Sequence, residues 1–141
     1  VIETIPLYLK YFSPILLHIE VPNALENLKS LEDAGVKCGV AINPDTPLEK
    51  LTRYARVTSR IHVLSVFPGY QGRQFLPETL QRLVDLRREF PNIIISCDGG
   101  INRENIKLVK DTGVDIAVVG SAIYQSNNPR SEFLELTRIV A

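Results

Sequence analysis

Asn92-Ile93-Ile94-Ile95-Ser96-Cys97, closing on Asp98-Gly99-Gly100, is the stretch that decides the fold class. It is short, rich in β-branched residues and apolar at consecutive positions, so it reads as a strand of a parallel sheet covered on both faces by its crossover helices rather than one with a solvated side. A segment of helical period follows, with Ile106 and Val109 on one stripe after Asn102 and a stop at Gly113. A second apolar run then begins, Ile116-Ala-Val-Val119. Strand, helix and strand of this kind make a βαβ unit, and βαβ units pair their strands in parallel.

The same alternation extends in both directions. Upstream, the run from Ile61 to Val66 leads into a long polar loop, Phe67 to Phe75, and then a helix from Pro77 to Phe90. That helix has Leu80, Leu83 and Val84 on its apolar face and Arg87 at its solvated edge. Before it, Val36 to Ile42 precedes a helix with Thr46 as N-cap, Pro47 at the first helical position and Glu49 completing a capping box. Earlier still, Pro14 to Glu20 is a strand, and Asn23 to Ala34 a helix with a Leu25, Leu28 and Leu31 stripe, an Asn23/Glu26 capping box and Gly35 as its stop. Residues 1–12, with Ile5, Leu7, Leu9, Tyr11 and Phe12, suggest an amphipathic helix behind an earlier strand. Downstream, a last helix opens at Asn128-Pro129 and runs through Phe133 and Leu136. The class is α/β. Five units fit either an open doubly wound sheet or the last five units of an eight-unit barrel, and periodicity leaves both open.

With 16 Lys+Arg against 16 Asp+Glu over 141 residues, the chain has no net charge and no basic bias toward nucleic acid or anionic membrane. Its 45% hydrophobic and 23% charged content is that of a packed domain. No run reaches the roughly 18 apolar residues of a spanning helix, and no secretory leader opens the chain. The expectation is a soluble, cytoplasmic protein with no membrane partner. Cys38 and Cys97 are too few and too scattered for a disulfide framework, and read as reduced core thiols. The chain starts at Val1 and contains no Met, so the start of the gene product is expected to lie upstream.

In either architecture, ligands bind at the carboxyl ends of the strands. This chain places there His18 and Glu20, then Asn43, Ser65 ahead of Pro68-Gly69, Asp98-Gly99-Gly100, and Gly120-Ser121. Asp98 stands out, because packing explains poorly an acid that closes an Ile-rich strand, and Asn102 already serves the next helix start. Gly99-Gly100 and Gly120-Ser121 each precede a helix, where bare backbone N–H groups make an anion site as readily as a tight turn. Gly69 and Gly72 supply further donors or the hinges of a lid, from which Arg73 would reach a phosphate. His18 and Glu20 alternate onto one side of their strand, a pair able to bind metal or move protons but more simply read as hydrogen-bonded packing. His62 is read at the start of its strand, away from the ligand end, and is given no role.

Three motifs together resemble the ribulose-phosphate 3-epimerase family: Val66-Phe67-Pro68-Gly69-Tyr70-Gln71-Gly72-Arg73-Gln74-Phe75, Cys97-Asp98-Gly99-Gly100-Ile101-Asn102 and Val119-Gly120-Ser121-Ala122-Ile123. His18-x-Glu20 and the stretch from Gly39 to Pro47 resemble that family's fourth and fifth strands. The resemblance implies a partial (β/α)8 TIM barrel: residues 1–141 form a single incomplete domain holding strands four to eight, with three βα units missing at the front. It further implies inversion at C3 of a phosphorylated ketose, interconverting D-ribulose 5-phosphate and D-xylulose 5-phosphate through an enediolate, a reaction of the pentose phosphate pathway. One divalent metal ion (Zn, Fe, Mn, Co or Mg) is the implied cofactor. Asp98 matches both a catalytic acid/base and a metal ligand of the family. The remaining metal ligands, two histidines and an aspartate, fall in the missing part, and His18 is not among them. Gly69, Tyr70, Gln71, Gly72, Asp98, Gly99, Gly100, Gly120 and Ser121 match the substrate and phosphate loops. A homo-oligomer is expected of the full-length protein, and no activity of these 141 residues alone.

The chain departs from the family pattern at four positions. Leu64 replaces a Met near the metal, Phe67 a frequent acid, Gln71 a lid glycine and Arg73 a Gln. These touch the lid and pocket wall, so an epimerase of another ketose phosphate, such as allulose 6-phosphate, is the alternative. A non-catalytic phosphosugar-binding barrel fragment is another.

Overall fold

The computed structural model describes residues 14–69 and 74–141, and the helix expected over residues 1–12 lies outside them. Its strands are β1 (Ile15–His18), β2 (Cys38–Ile42), β3 (Arg60–Leu64), β4 (Ile94–Asp98) and β5 (Ile116–Val118). Between and after them come α1 (Ala24–Asp33), a 3-10 helix (Leu48–Arg53), α2 (Thr79–Glu89), α3 (Ile106–Asp111), α4 (Ser121–Tyr124) and α5 (Pro129–Val140). All pairings are parallel and the order is β1-β2-β3-β4-β5. A doubly wound sheet reverses direction at a switch point; among the described residues this one does not. Right-handed crossovers that always step the same way put every helix on one face, as in the wall of a (β/α)8 barrel.

The expectation that helices cover both faces is therefore corrected. Ile61, Val63, Ile95 and Cys97 point to the helical side and pack with Leu28, Leu83, Leu86 and Val109. The alternate residues line a concave face on which Leu16, Ile116 and Val118 stay 40%, 43% and 39% exposed. The strands read as continuously apolar because a barrel fills its lumen with side chains, not because a second helical layer covers it.

Several local expectations also change. Asn23 adopts φ +56° and makes no side-chain cap, so the capping box does not form. Pro47 sits just before the 3-10 helix, and the Thr46 hydroxyl bonds to Glu20 instead of capping. Arg87 is no solvated edge. Its guanidinium donates to the carbonyls of Gly113 (2.9 Å), Ile93 (2.9 Å) and Pro91 (3.0 Å) and pairs with Asp115 at 2.5 Å. Asn128 does cap α5, accepting from the Ser131 N–H at 3.0 Å. No helix among the described residues is long and apolar enough to cross a membrane.

Candidate active site

Asp98 is the last residue of β4, level with Leu64 of β3 and Val118 of β5. Residues in parallel register share a face, so all three belong to the concave surface. One step below them, His18, Ala41, His62, Ser96 and Ile116 form a row across the sheet. The Asp98 side chain is 42% exposed and has no carboxylate hydrogen bond to any described residue; the titratable side chain beside it is His62, with Nε2 3.8 Å from Oδ2. It does not cap the following turn. There, Asn105 Oδ1 accepts from the Asn102 N–H (2.9 Å) and Asn102 Oδ1 from the Glu104 N–H (2.8 Å).

The backbone around Asp98 is held from β3. Ser65, fully buried, donates its N–H to the Asp98 carbonyl at 2.8 Å and its hydroxyl to the carbonyls of Asp98 (2.9 Å) and Gly99 (2.7 Å). The Ser65 carbonyl accepts from the Leu76 N–H at 2.9 Å, which closes the base of the long loop. Gly69 stands at the entrance to that loop with φ +140°. Tyr70, Gln71, Gly72 and Arg73 lie outside the described residues. Gly99 has φ +124°, and a Cβ there would come within 2.6 Å of Val66 Cγ2. Only glycine lets the chain turn this close to β3.

Gly100 and Ser121 line one cavity of about 640 Å³, with Gln74, Asn102 and Ser126 among its other walls. Among the described residues, no lysine or arginine lines it. Glu104 does line it, so an anion seated there would be held by backbone and side-chain dipoles against one carboxylate. Gly99 and Gly120 do not line this cavity, and Asp98 faces the concave side.

His18 and Glu20 are joined to each other and to the next loop. His18 Nδ1 lies 3.1 Å from Glu20 Oε2, while Glu20 Oε1 accepts from the Asn43 N–H (2.9 Å) and the Thr46 hydroxyl. Burial pushes the Glu20 carboxyl up, but these hydrogen bonds outweigh it and hold the group below its ordinary value. Glu20 thus lashes the loop after β1 to the loop after β2. Cys38 and Cys97 are free and buried, their thiols pushed up by burial to about 12 and about 11.

Two residues of this region escape the sequence reading. Ser65 appears there only as a strand end. His62 is placed at the start of its strand, whereas it is the middle residue of β3, mostly buried, with Nδ1 2.8 Å from Ser96 Oγ. Burial pushes its pKa below the ordinary histidine value, opposed by the Asp98 charge and assisted by His18. Alternation from Leu64 was the available signal, since it puts His62 and Leu64 on one face. Among the described residues, no three His, Cys, Asp or Glu side chains gather into a metal cluster. Around Asp98 the described residues offer one carboxylate and one imidazole nitrogen, donors that suit a divalent ion but are fewer than the ion needs.

A protein-family model described as the ribulose-phosphate 3 epimerase family matches residues 2–124. The chain is 38% identical over 119 residues to a ribulose-phosphate 3-epimerase from Buchnera aphidicola subsp. Baizongia pistaciae, covering 81% of this chain and 52% of that protein. It is 31% identical over 117 residues to the cytoplasmic isoform of the rice (Oryza sativa subsp. japonica) enzyme of that name, covering 79% and 51%. The chain therefore spans about half the length of the curated relatives it matches. In fold it is similar to a 3-hexulose-6-phosphate synthase from Salmonella typhimurium, with a TM-score of 0.72 at 19% identity over 99% of this chain and 66% of that one.

Proposed function

The chain belongs to the ribulose-phosphate 3-epimerase family, and from that premise we propose that the protein interconverts D-ribulose 5-phosphate and D-xylulose 5-phosphate by exchanging the C3 proton. In this reading residues 1–141 are a single incomplete barrel domain, β1 to β5 are strands four to eight, and three further βα units complete the wall. The protein works in the cytoplasm as a homo-oligomer.

The observation that carries the reading is Asp98. Its carboxylate stands at a strand end on the concave face, free of structural hydrogen bonds among the described residues, while Ser65 clamps its backbone from beneath. A carboxylate held this way is placed to take the C3 proton from one face of a bound ketose and to return it. The acid for the opposite face comes from outside the described residues. The substrate phosphate is held by the loops of Gly99, Gly100, Gly120 and Ser121, with Gly69, Tyr70, Gln71 and Gly72 as further substrate-binding residues. The cavity shared by Gly100 and Ser121 supports this assignment. Asp98 also holds a divalent ion, which when bound supplies neutralisation of developing negative charge.

A second reading concerns the sugar alone. Leu64, level with Asp98, and Phe67, 44% exposed at the loop entrance, are both apolar where the family is polarisable or acidic. They favour a wall that accepts a longer ketose phosphate, such as allulose 6-phosphate.

Turnover measured on the full-length protein at saturating metal tests the assignment. Asp98→Asn keeps size and one acceptor oxygen but loses the charge and the exchangeable proton, so a fall of about 10² to 10⁴ in rate is expected. His18→Ala is expected to cost mainly stability. An Asp98→Asn protein within a few-fold of the parent ends the epimerase assignment, and a far worse His18→Ala shows the centre lies elsewhere.

A further inference from the structure

Lys50, Arg53 and Arg56 fall at intervals of three along the segment after β2. A 3-10 helix turns once in three residues, so side chains at that spacing stack in one row. The 3-10 helix covers Leu48–Arg53, and the same period carries on past it, with the Tyr54 N–H on the Leu51 carbonyl (2.9 Å) and the Val57 N–H on the Tyr54 carbonyl (2.8 Å). All three cations line one cavity of about 880 Å³ between this segment and α1, and Lys29 lines it from α1.

Elsewhere Arg87, Arg88, Arg103, Lys107 and Arg138 each pair with a carboxylate. The four cations of this cavity form no ion pair among the described residues, although two carboxylates share its walls. Glu20 is already committed to His18, the Asn43 N–H and the Thr46 hydroxyl, which leaves Glu49 against four positive charges. A helix C-terminus attracts cations, which accounts for Lys50 and Arg53 in the last turn of the 3-10 helix but not for Lys29 on another helix. Arg53 is also held in place. Its guanidinium carbon lies 5.0 Å from the ring centroid of Tyr54, a residue only 1% exposed, and a stacked guanidinium keeps donors on its edge for a ligand.

We propose that this cavity binds a small organic polyphosphate, of the nucleoside di- or triphosphate class, through Lys29, Lys50, Arg53 and Arg56. A rise of about 2 Å per residue spreads the row over about 12 Å, more than one phosphate group spans, so the ligand carries several. Guanidinium forks match phosphate oxygens in pairs. Ile19, Leu25 and Val57 add an apolar wall for the uncharged part of the ligand. The volume is that of a small-molecule cleft, not of a flat face suited to an acidic protein. This cavity shares no lining residue with the one at Gly100 and Ser121, so it is a second anion site, apart from the one assigned to the ketose phosphate.

The test titrates the full-length protein with ATP, free of metal, by isothermal calorimetry at low and high salt. One saturable site is expected, weakening as salt rises because exposed charges supply most of the attraction. Arg53→Gln and Arg56→Gln, checked for native fold by circular dichroism, are each expected to weaken ATP about 10-fold. Arg88→Gln, at an exposed arginine outside the cavity, is expected to leave it unchanged. If Arg53→Gln fails to fold, the exposed Arg56 decides through its own variant. The absence of saturable binding, or equal affinity in all variants, overturns the proposal. So does displacement of ATP by ribulose 5-phosphate, which places ATP in the ketose site, whereas an ATP site that persists at saturating ribulose 5-phosphate supports it. A decapeptide of glutamate that competes as strongly as ATP marks a protein-docking face and overturns it as well.

Discussion

Gly99 and Gly120 look alike in the sequence, each a glycine at a strand end before a helix, yet the structure separates them. Gly99 has φ +124° and no room for a Cβ against Val66, while Gly120 has φ −106° and a Cβ there would meet nothing within 4 Å. Gly99→Ala is expected to strain the turn by about 1–3 kcal/mol and to push Asp98 out of line with the Ser65 clamp. Gly120→Ala is expected to change stability by no more than about 0.5 kcal/mol. Urea unfolding of the two variants checks the contrast, and equal losses would show that the close approach to Val66 carries no energy. The acid and the glycines were legible in the sequence because their types are improbable for packing. Backbone angle and clearance were not legible, since both depend on β3, more than thirty residues away in the chain.

At the scale of elements, Arg87 shows how a charge on a helix edge becomes a fastening. From the last turn of α2 it satisfies carbonyls leading into β4 and the one at Gly113 before β5, and it pairs with Asp115, which itself accepts the Ile95 N–H at 2.7 Å. Arg87→Ala leaves those carbonyls and one carboxylate without their donor, and a loss of about 2–3 kcal/mol is expected from denaturant unfolding. Arg87→Lys is expected to recover little of it, because an ammonium cannot span acceptors that a planar guanidinium bridges at once. Full recovery by lysine would show that charge, not geometry, ties these elements. The helix was read correctly from its apolar stripe. The role of its polar edge was missed because period reports which side is wet, not which loops approach it.

At the scale of the whole molecule, β1 and β5 each pair with a single neighbour among the described residues, and Leu16, Ile116 and Val118 stand exposed on the concave face between those edges. Unpaired strand edges and an apolar face both promote association. The isolated 141-residue chain is therefore expected to self-associate in sedimentation experiments and to show no ribulose 5-phosphate turnover above a metal blank. A monodisperse monomer would contradict the first expectation, and robust turnover the second.

Parallel strands alternating with helices, the acid at the end of β4, the glycine turns and the family likeness were determined by the sequence itself, because each is written in residues close together along the chain. The choice of a barrel arc over a doubly wound sheet rested on the order in which strands pair, and local periodicity carries no record of that order. Register between β3 and β4 likewise set His62 beneath Asp98 and Ser65 behind it. Such contacts join segments that meet only when the sheet assembles, so the tertiary structure alone decided them.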